Sequence, residues 1–357
     1  MKKDKVGIIT VYGENNFGNK LQNYASKKLY NELGLNAETL KVMQSRMQLN
    51  NKEKIKIGIK KIIQYIPKYK YLRYQFLKEE KFKKFSINNL NITKSYNTAS
   101  ISKEILEEYG YLSVGSDQVW NDTDFDANDM QYFSLNGIES PKIIALSPSM
   151  GKTSLCEKNK EILKSALINY KAISCREEAG AKYISEISGR KCEILVDPTM
   201  ALKKEDWNSL KKKPEWLNSK NYAMCYFLGG MEDKLEIIKK KCNDENIEMI
   251  DILDKRKESY NTSPEEFIYL ISNADMVFTD SFHACVFSII FDTSFSVFKR
   301  QNQESNMNSR IDTLFKLFGV NEYKYGEVYN FGSMQMKENI LDCKRKEITS
   351  YLKSVLG

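Results

Sequence analysis

Short apolar runs alternate with helical periodicities along most of this chain. Val6–Val11 reads as a buried strand and Tyr12–Asn19 as a loop. Lys20–Leu33 then repeats apolar positions at Leu21, Tyr24, Ala25, Leu29 and Leu33, the spacing of one helix face, before Gly34 supplies a stop. Ala37–Val42 returns as a strand, so the opening is a βαβ unit. The runs Tyr111–Val114, Ile143–Leu146, Ala172–Ser174 and Glu193–Val196 continue the alternation, and each ends in polar residues. A lysine-rich stretch with Pro214, Leu202–Lys220, precedes a second series: strand Ala223–Leu228, helix near Glu232–Lys241, strand Glu248–Leu253, helix Ser263–Ser272, strand Met276–Thr279, a helix from Phe282, and strand Ser294–Phe298. Within it, Ser263 as N-cap, Pro264 at the first helical position and Glu266 form a capping-box signature. Met336–Leu356 reads as a terminal helix able to pack back on the first domain. Such alternation predicts α/β architecture: two Rossmann-like lobes facing a cleft, each with a parallel sheet. The expected domains are 1–205, with a helical basic insertion at about 45–95, and 206–357, carrying the only histidine, His283.

Composition narrows the class. With 357 residues, 41% hydrophobic and 29% charged, the chain suits two globular domains and not a disordered one. Its seven cysteines form no CxxC pair and, beside one histidine, no zinc spacing; such usage without a recognisable signal sequence suits a reducing cytoplasm. No apolar run approaches the roughly 20 residues that span a bilayer. The net charge of +8 is uneven: Asn51–Lys84 holds twelve Lys or Arg against three acids, interleaved with Ile and Tyr. Two readings fit that stretch. It is an amphipathic helix packed on its own domain with solvated lysines, or a surface that meets an anionic membrane at its inner face. No nucleic-acid recognition motif occurs.

Candidate chemistry gathers at strand ends. Met276–Thr279 runs through Asp280 and Ser281 into the helix that carries His283, placed about one turn in, where an anion would meet helix N–H groups; a packed structural histidine fits the position equally. Asp280 reads as a helix N-cap or a site residue. The loop after the first strand offers Asn16, Gly18 and Asn19, with Gln22 following; Ser116, Asp117 and Gln118 end the strand at Val114. Asp117 reads as a base or hydroxyl acceptor, or as a turn aspartate bonding its own backbone. Arg176 matches phosphate or carboxylate bidentately, or pairs with a neighbouring acid. Gly13 and Gly18 do not make a dinucleotide fingerprint, and no Walker sequence occurs. Asp117, Asp122, Asp124 and Asp126 read as a solvated acidic loop, with no metal indicated.

Taken in order, NNFGNKLQNYA, GSDQVWN, SCREEAG, VDPT, SPEEFIYLIS, ADMVFTDSFHACVFSIIF and SNMNSRI resemble the polysaccharide pyruvyl transferase family. The resemblance implies a GT-B-like fold and transfer of pyruvate from phosphoenolpyruvate, a donor substrate and not a cofactor, onto a sugar as a ketal. The acceptor implied is a glycan or lipid-linked oligosaccharide destined for the cell surface, capsule or exopolysaccharide. In that chemistry His283 is the expected general acid, since imidazolium donates near neutral pH, and Asp117 the acceptor for a sugar hydroxyl or a base. Many members carry an arginine where this chain has Ser281; Arg176, Arg300, Arg310 or Lys299 would then hold the donor's anionic groups. The alternatives are a glycosyltransferase using a nucleotide-sugar donor on the same scaffold and, from another class, a non-catalytic adaptor docking on membranes through 51–84.

Overall fold

The computed structural model describes residues 2–13, 15–43, 51–93, 96–97, 108–123, 126–138, 142–300, 308–332 and 336–357. The chain divides into two compact units, one of Met1–Gln48, Ser86–Leu202 and Ile340–Gly357, the other of Leu49–Phe85 and Lys203–Asn339. Each is built on a five-stranded sheet. The two Rossmann-like α/β units with parallel sheets that the alternation predicts are what the structure shows.

The first unit begins β1 (Lys2–Ile9), α1 (Phe17–Glu32), β2 (Asn36–Thr39) and β3 (Val42–Met43). After helices α2 (Asn51–Ile63) and α3 (Lys70–Asn89) it resumes with β4 (Tyr96–Asn97), β5 (Tyr109–Val114), α4 (Ala127–Phe133), β6 (Ile143–Ala145), α5 (Glu157–Leu167), β7 (Tyr170–Ala172), β8 (Ser174–Cys175), α6 (Glu178–Ser188), β9 (Glu193–Ile194) and α7 (Pro198–Ala201). Its main sheet has the order β2-β1-β5-β6-β7, all parallel; β3 with β4 and β8 with β9 form parallel pairs. Helices cover both faces, so central strands such as β6 are buried at every position. Leu21, Ala25 and Leu29 of α1 lie in the core. Helix α1 starts three residues earlier than the apolar spacing predicts. The Asn16 side chain accepts from Asn19 N at 3.2 Å, and that cap turns Phe17–Asn19 from loop into the first helical turn.

The second unit continues α8 (Lys204–Leu210), β10 (Tyr222–Tyr226), α9 (Leu235–Asp244), β11 (Glu248–Asp251), α10 (Pro264–Asn273), β12 (Met276–Thr279), α11 (Phe282–Phe291), β13 (Phe295–Val297), α12 (Asn308–Leu317) and β14 (Val328–Tyr329). The order is β11-β10-β12-β13-β14, parallel except for the last pair. The capping box on α10 forms as its sequence signature predicts, with Ser263 Oγ accepting from Glu266 N and Glu266 accepting from Ser263 N. Helix α13 (Lys337–Leu356) then passes into the first unit, where Tyr351 Oη donates to Ala145 O at 2.8 Å and Tyr111 Oη to Leu356 O at 2.8 Å.

The basic insertion interrupts the first unit in sequence but packs with the second. Lys81 of α3 reaches Glu266 at 2.8 Å and Asn261 Oδ1 at 2.7 Å, joining the helix to the α10 cap. Leu72, Tyr74, Phe82 and Phe85 of the same helix are buried. Beside them Lys78, only 3% exposed, lies 4.5 Å from the Tyr260 ring centre. Burial pushes its ammonium down to about 8, with Asp251 opposing the shift. The unfolded chain therefore holds this proton more tightly than the folded one, so the penalty is complete below pH 8 and fades as pH rises toward the ordinary lysine value. Lys78→Met is expected to stabilise the protein by up to about 3 kcal/mol at neutral pH. The advantage should shrink by pH 10; urea midpoints of both proteins at the two pH values check it, and equal midpoints at neutral pH would refute it.

Candidate functional site

In each unit the strand order reverses at one place, and in open α/β sheets ligands bind beside such a point, at the strands' carboxyl ends. In the first unit this point lies between β1 and β5, because the chain passes from β1 to β2 on one side and returns to β5 on the other. In the second it lies between β10 and β12 for the same reason. The sequence-selected residues gather at these two points.

Around the first, Gln22 of α1 donates to Thr10 Oγ1 at 2.9 Å, and its Oε1 accepts from Ser116 N at 3.2 Å and Ser116 Oγ at 3.1 Å. Asp117 accepts from Gln118 N at 2.7 Å and from the Asn19 side-chain amide. The loop after β5 thus rests on the start of α1. Gly115 makes this possible: with φ +135° it sits so close to the next loop that a Cβ would lie 2.1 Å from Leu146 O. Asn16 serves as the α1 cap, and Gly18 lies buried in the first turn. Sequence reasoning missed Lys20, buried at 2% exposure with its ammonium 3.5 Å from the Tyr12 ring centre.

Arg176 follows β8 and is buried with acids on several sides. It pairs with Asp197, and Glu177 Oε1 lies 3.6 Å from its Nε. Glu177 also accepts from Ser149 Oγ and, at 3.3 Å, Met150 N, while Asp197 accepts from Thr199 N at 2.9 Å. Ser149 N in turn donates to the Asp117 carbonyl at 2.9 Å. Burial opposes the guanidinium charge, but Asp197, Glu177 and Asp117 outweigh it and hold the group above its ordinary value. One cation here faces three carboxylates. The polar ends of the Ile143–Leu146 and Glu193–Val196 runs are the signal for Ser149 and Asp197, but the contacts that join them to Glu177 and Arg176 are a tertiary matter.

Around the second point, Asp280 is not the helix N-cap. Ser281 holds that position, and Asp280 instead accepts from Leu228 N and Gly229 N, both at 2.8 Å, stitching the loop after β10 to the end of β12. Arg300, past β13, reaches Asp280 Oδ2 at 3.3 Å and the Asp280 carbonyl at 3.2 Å, so its guanidinium stands at the Ser281 turn. Gly229 allows this approach, since a Cβ there would lie 2.4 Å from Arg300 Cγ. His283 is the second residue of α11, nearer the strand end than the apolar pattern suggests. It is buried at 8% exposure, with the Phe282 ring edge-on at 5.3 Å. Arg310, in the first turn of α12, lies 6.0 Å from the Phe282 ring centre. Lys299 is exposed. Of the named residues around this turn, Arg300 pairs with the Asp280 carboxylate and Arg310 stands by the Phe282 ring next to His283, so arginine outnumbers carboxylate here, the reverse of the first cluster.

No group of three or more His, Cys, Asp or Glu able to hold a metal occurs among the described residues. In the acidic loop, Asp122 pairs with Lys152 at 2.8 Å and Asp126 caps α4, while Asp124 lies outside the described residues.

Comparison with known proteins fits this architecture. The chain is similar to a candidate UDP-N-acetylglucosamine 2-epimerase from Listeria monocytogenes, with 10% identity over 100% of this chain and 90% of that one at a TM-score of 0.50, a likeness of fold alone. A UDP-GlcNAc 2-epimerase from Methanocaldococcus jannaschii aligns with 13% identity over 95% of this chain and 99% of that one, at a TM-score of 0.47. No curated protein matches the sequence. The family model for polysaccharide pyruvyl transferase matches residues 16–302, a span that runs from the α1 cap through Asp117, Arg176 and His283 to Arg300, and on that match the chain belongs to the polysaccharide pyruvyl transferase family.

Proposed function

We propose that this protein transfers pyruvate from phosphoenolpyruvate onto two hydroxyls of a sugar in a polysaccharide precursor, forming a ketal and releasing phosphate. The observation that carries this reading is the opposite charge of the two clusters. Two arginines and an imidazole beside one carboxylate suit a small donor bearing phosphate and carboxylate. Three carboxylates against one arginine suit hydroxyl groups, which donate hydrogen bonds. The cation-rich cluster thus takes the donor and the acid-rich cluster the acceptor.

In this reading His283 gives a proton to the donor's methylene carbon, leaving positive charge at the central carbon. One sugar hydroxyl adds there, and the second displaces phosphate. Of the two hydroxyl protons, one replaces that lost by His283 and the other leaves with phosphate. Asp117 accepts from an incoming hydroxyl, and Ser116, Asn19, Gln22 and Gln118 shape the acceptor side. Arg300 takes the place of the arginine that relatives carry at Ser281, with Arg310 beside it. Removing a hydrogen bond to a charged group costs about 1.5–3 kcal/mol. Arg300→Ala is therefore expected to raise the donor KM roughly 10- to 100-fold, with Arg300→Lys intermediate; an unchanged donor KM would remove Arg300 from the role.

The deciding experiment incubates the protein with phosphoenolpyruvate and a glycan panel. Phosphate release together with a mass gain of one ketal-linked pyruvate supports the proposal. Thermal stabilisation by a nucleotide sugar and not by phosphoenolpyruvate would overturn it in favour of glycosyl transfer.

A further inference from the structure

The α2–α3 hairpin divides the two readings that its sequence left open. Helix α3 is the packed element, with Leu72, Tyr74, Phe82 and Phe85 buried. The end of α2 and the turn after it are not packed. Ile59, Ile62, Tyr65 and Ile66 are 53%, 75%, 78% and 48% exposed. The turn continues the helix, since Gln64 N donates to Lys60 O at 3.1 Å and Ile66 N to Ile63 O at 3.0 Å. Ile59, Ile62 and Ile66 therefore stand one above another, with Tyr65 beside them. Exposed large apolar side chains gathered on one face mark a surface that something covers.

The surrounding charge says what. Lys56–Lys70 contains five lysines and no acid, and Lys56, Lys60, Lys61 and Lys68 are exposed. Protein–protein interface cores are depleted in lysine, whereas lysines flanking an isoleucine and tyrosine stripe are the composition of a helix lying in a bilayer interface. The long aliphatic stems let the ammonium groups reach up to lipid phosphates while the stripe sinks. No helix among the described residues is long and apolar enough to cross a membrane, so the contact proposed is a peripheral one. We propose that Ile59–Ile66 with its flanking lysines is a docking surface for an anionic lipid bilayer. The proposal does not depend on the transfer reaction assigned above.

Flotation of the full chain with vesicles tests it. The protein should partition onto phosphatidylcholine vesicles containing phosphatidylglycerol, not onto phosphatidylcholine alone, and should release as salt shortens the screening length. Near an anionic surface each lysine is worth roughly fivefold in binding, so Lys60→Gln/Lys61→Gln should weaken partitioning about 25-fold. Ile62→Ser/Tyr65→Ser should abolish partitioning without changing the melting temperature, because both side chains are exposed. Absence of binding to anionic vesicles, or binding that survives both pairs of substitutions, would overturn the proposal. So would a change of oligomeric state in Ile62→Ser/Tyr65→Ser together with unaltered vesicle binding, which would assign the stripe to a protein contact.

Discussion

Replacing His283 with Gln is expected to abolish pyruvyl transfer while the protein remains folded. Glutamine preserves much of the volume and a hydrogen-bonding end, and cannot supply a proton to carbon. A positioned general acid contributes about 10²- to 10⁴-fold, so phosphate release with donor and acceptor should fall at least that far. Donor affinity should change little, because the cations at the Ser281 turn stay in place. Position supports the assignment: the ring lies in the first turn of α11, directly past the β12 end that borders the switch point, beside Phe282 and the Arg310 that flanks it. Two measurements separate the outcomes. A melting temperature close to that of the parent shows that the fold is kept, and single-turnover phosphate release reports the chemical step. A folded His283→Gln variant with most of its turnover intact would take the imidazole out of the mechanism.

Arg176→Met should act on stability first. The guanidinium is buried against Asp197 and Glu177, with Asp117 adding to the field that holds its charge. Removing one member of a buried ion cluster typically costs about 3–5 kcal/mol, because the opposite charges are left without compensation in a poorly solvated site. The urea midpoint should fall accordingly. Arg176→Lys should recover part of the loss, since it restores a charge but not the planar fork that spans two acids. If Arg176→Met instead kept its midpoint and raised the donor KM, the arginine would be a donor ligand, and the division of donor and acceptor between the clusters would have to be redrawn.

These two residues show what the sequence discloses. The alternation of strands and helices, the α10 capping box and the polar strand ends are local patterns, and local chemistry enforces them. The helix start at Phe17 was not visible in apolar spacing, because one amide side chain, Asn16, decides it. Asp280 looked like a cap since a cap is the commonest use of aspartate before a helix; its true partners, Leu228 and Gly229, lie some fifty positions away in sequence. Arg176 and Asp197 stand in separate motifs, and only the β8–β9 pairing brings them together. The candidate residues are chosen by type and by position at strand ends. Which of them answer one another's charge is a property of sheet order, which periodicity does not contain.

The discontinuous make-up of the first unit also bears on how the protein is made. Its last segment, Ile340–Gly357, leaves the ribosome only after the whole of Lys203–Asn339. Domains completed early in synthesis can fold while the chain is still growing, but here the amino-terminal unit must wait for its closing helix, and the later-synthesised unit can be finished first. A product truncated after Asn339 would hold the Arg176–Asp197 cluster without the Tyr351 tie to Ala145, and limited proteolysis of it should cut the first unit before the second.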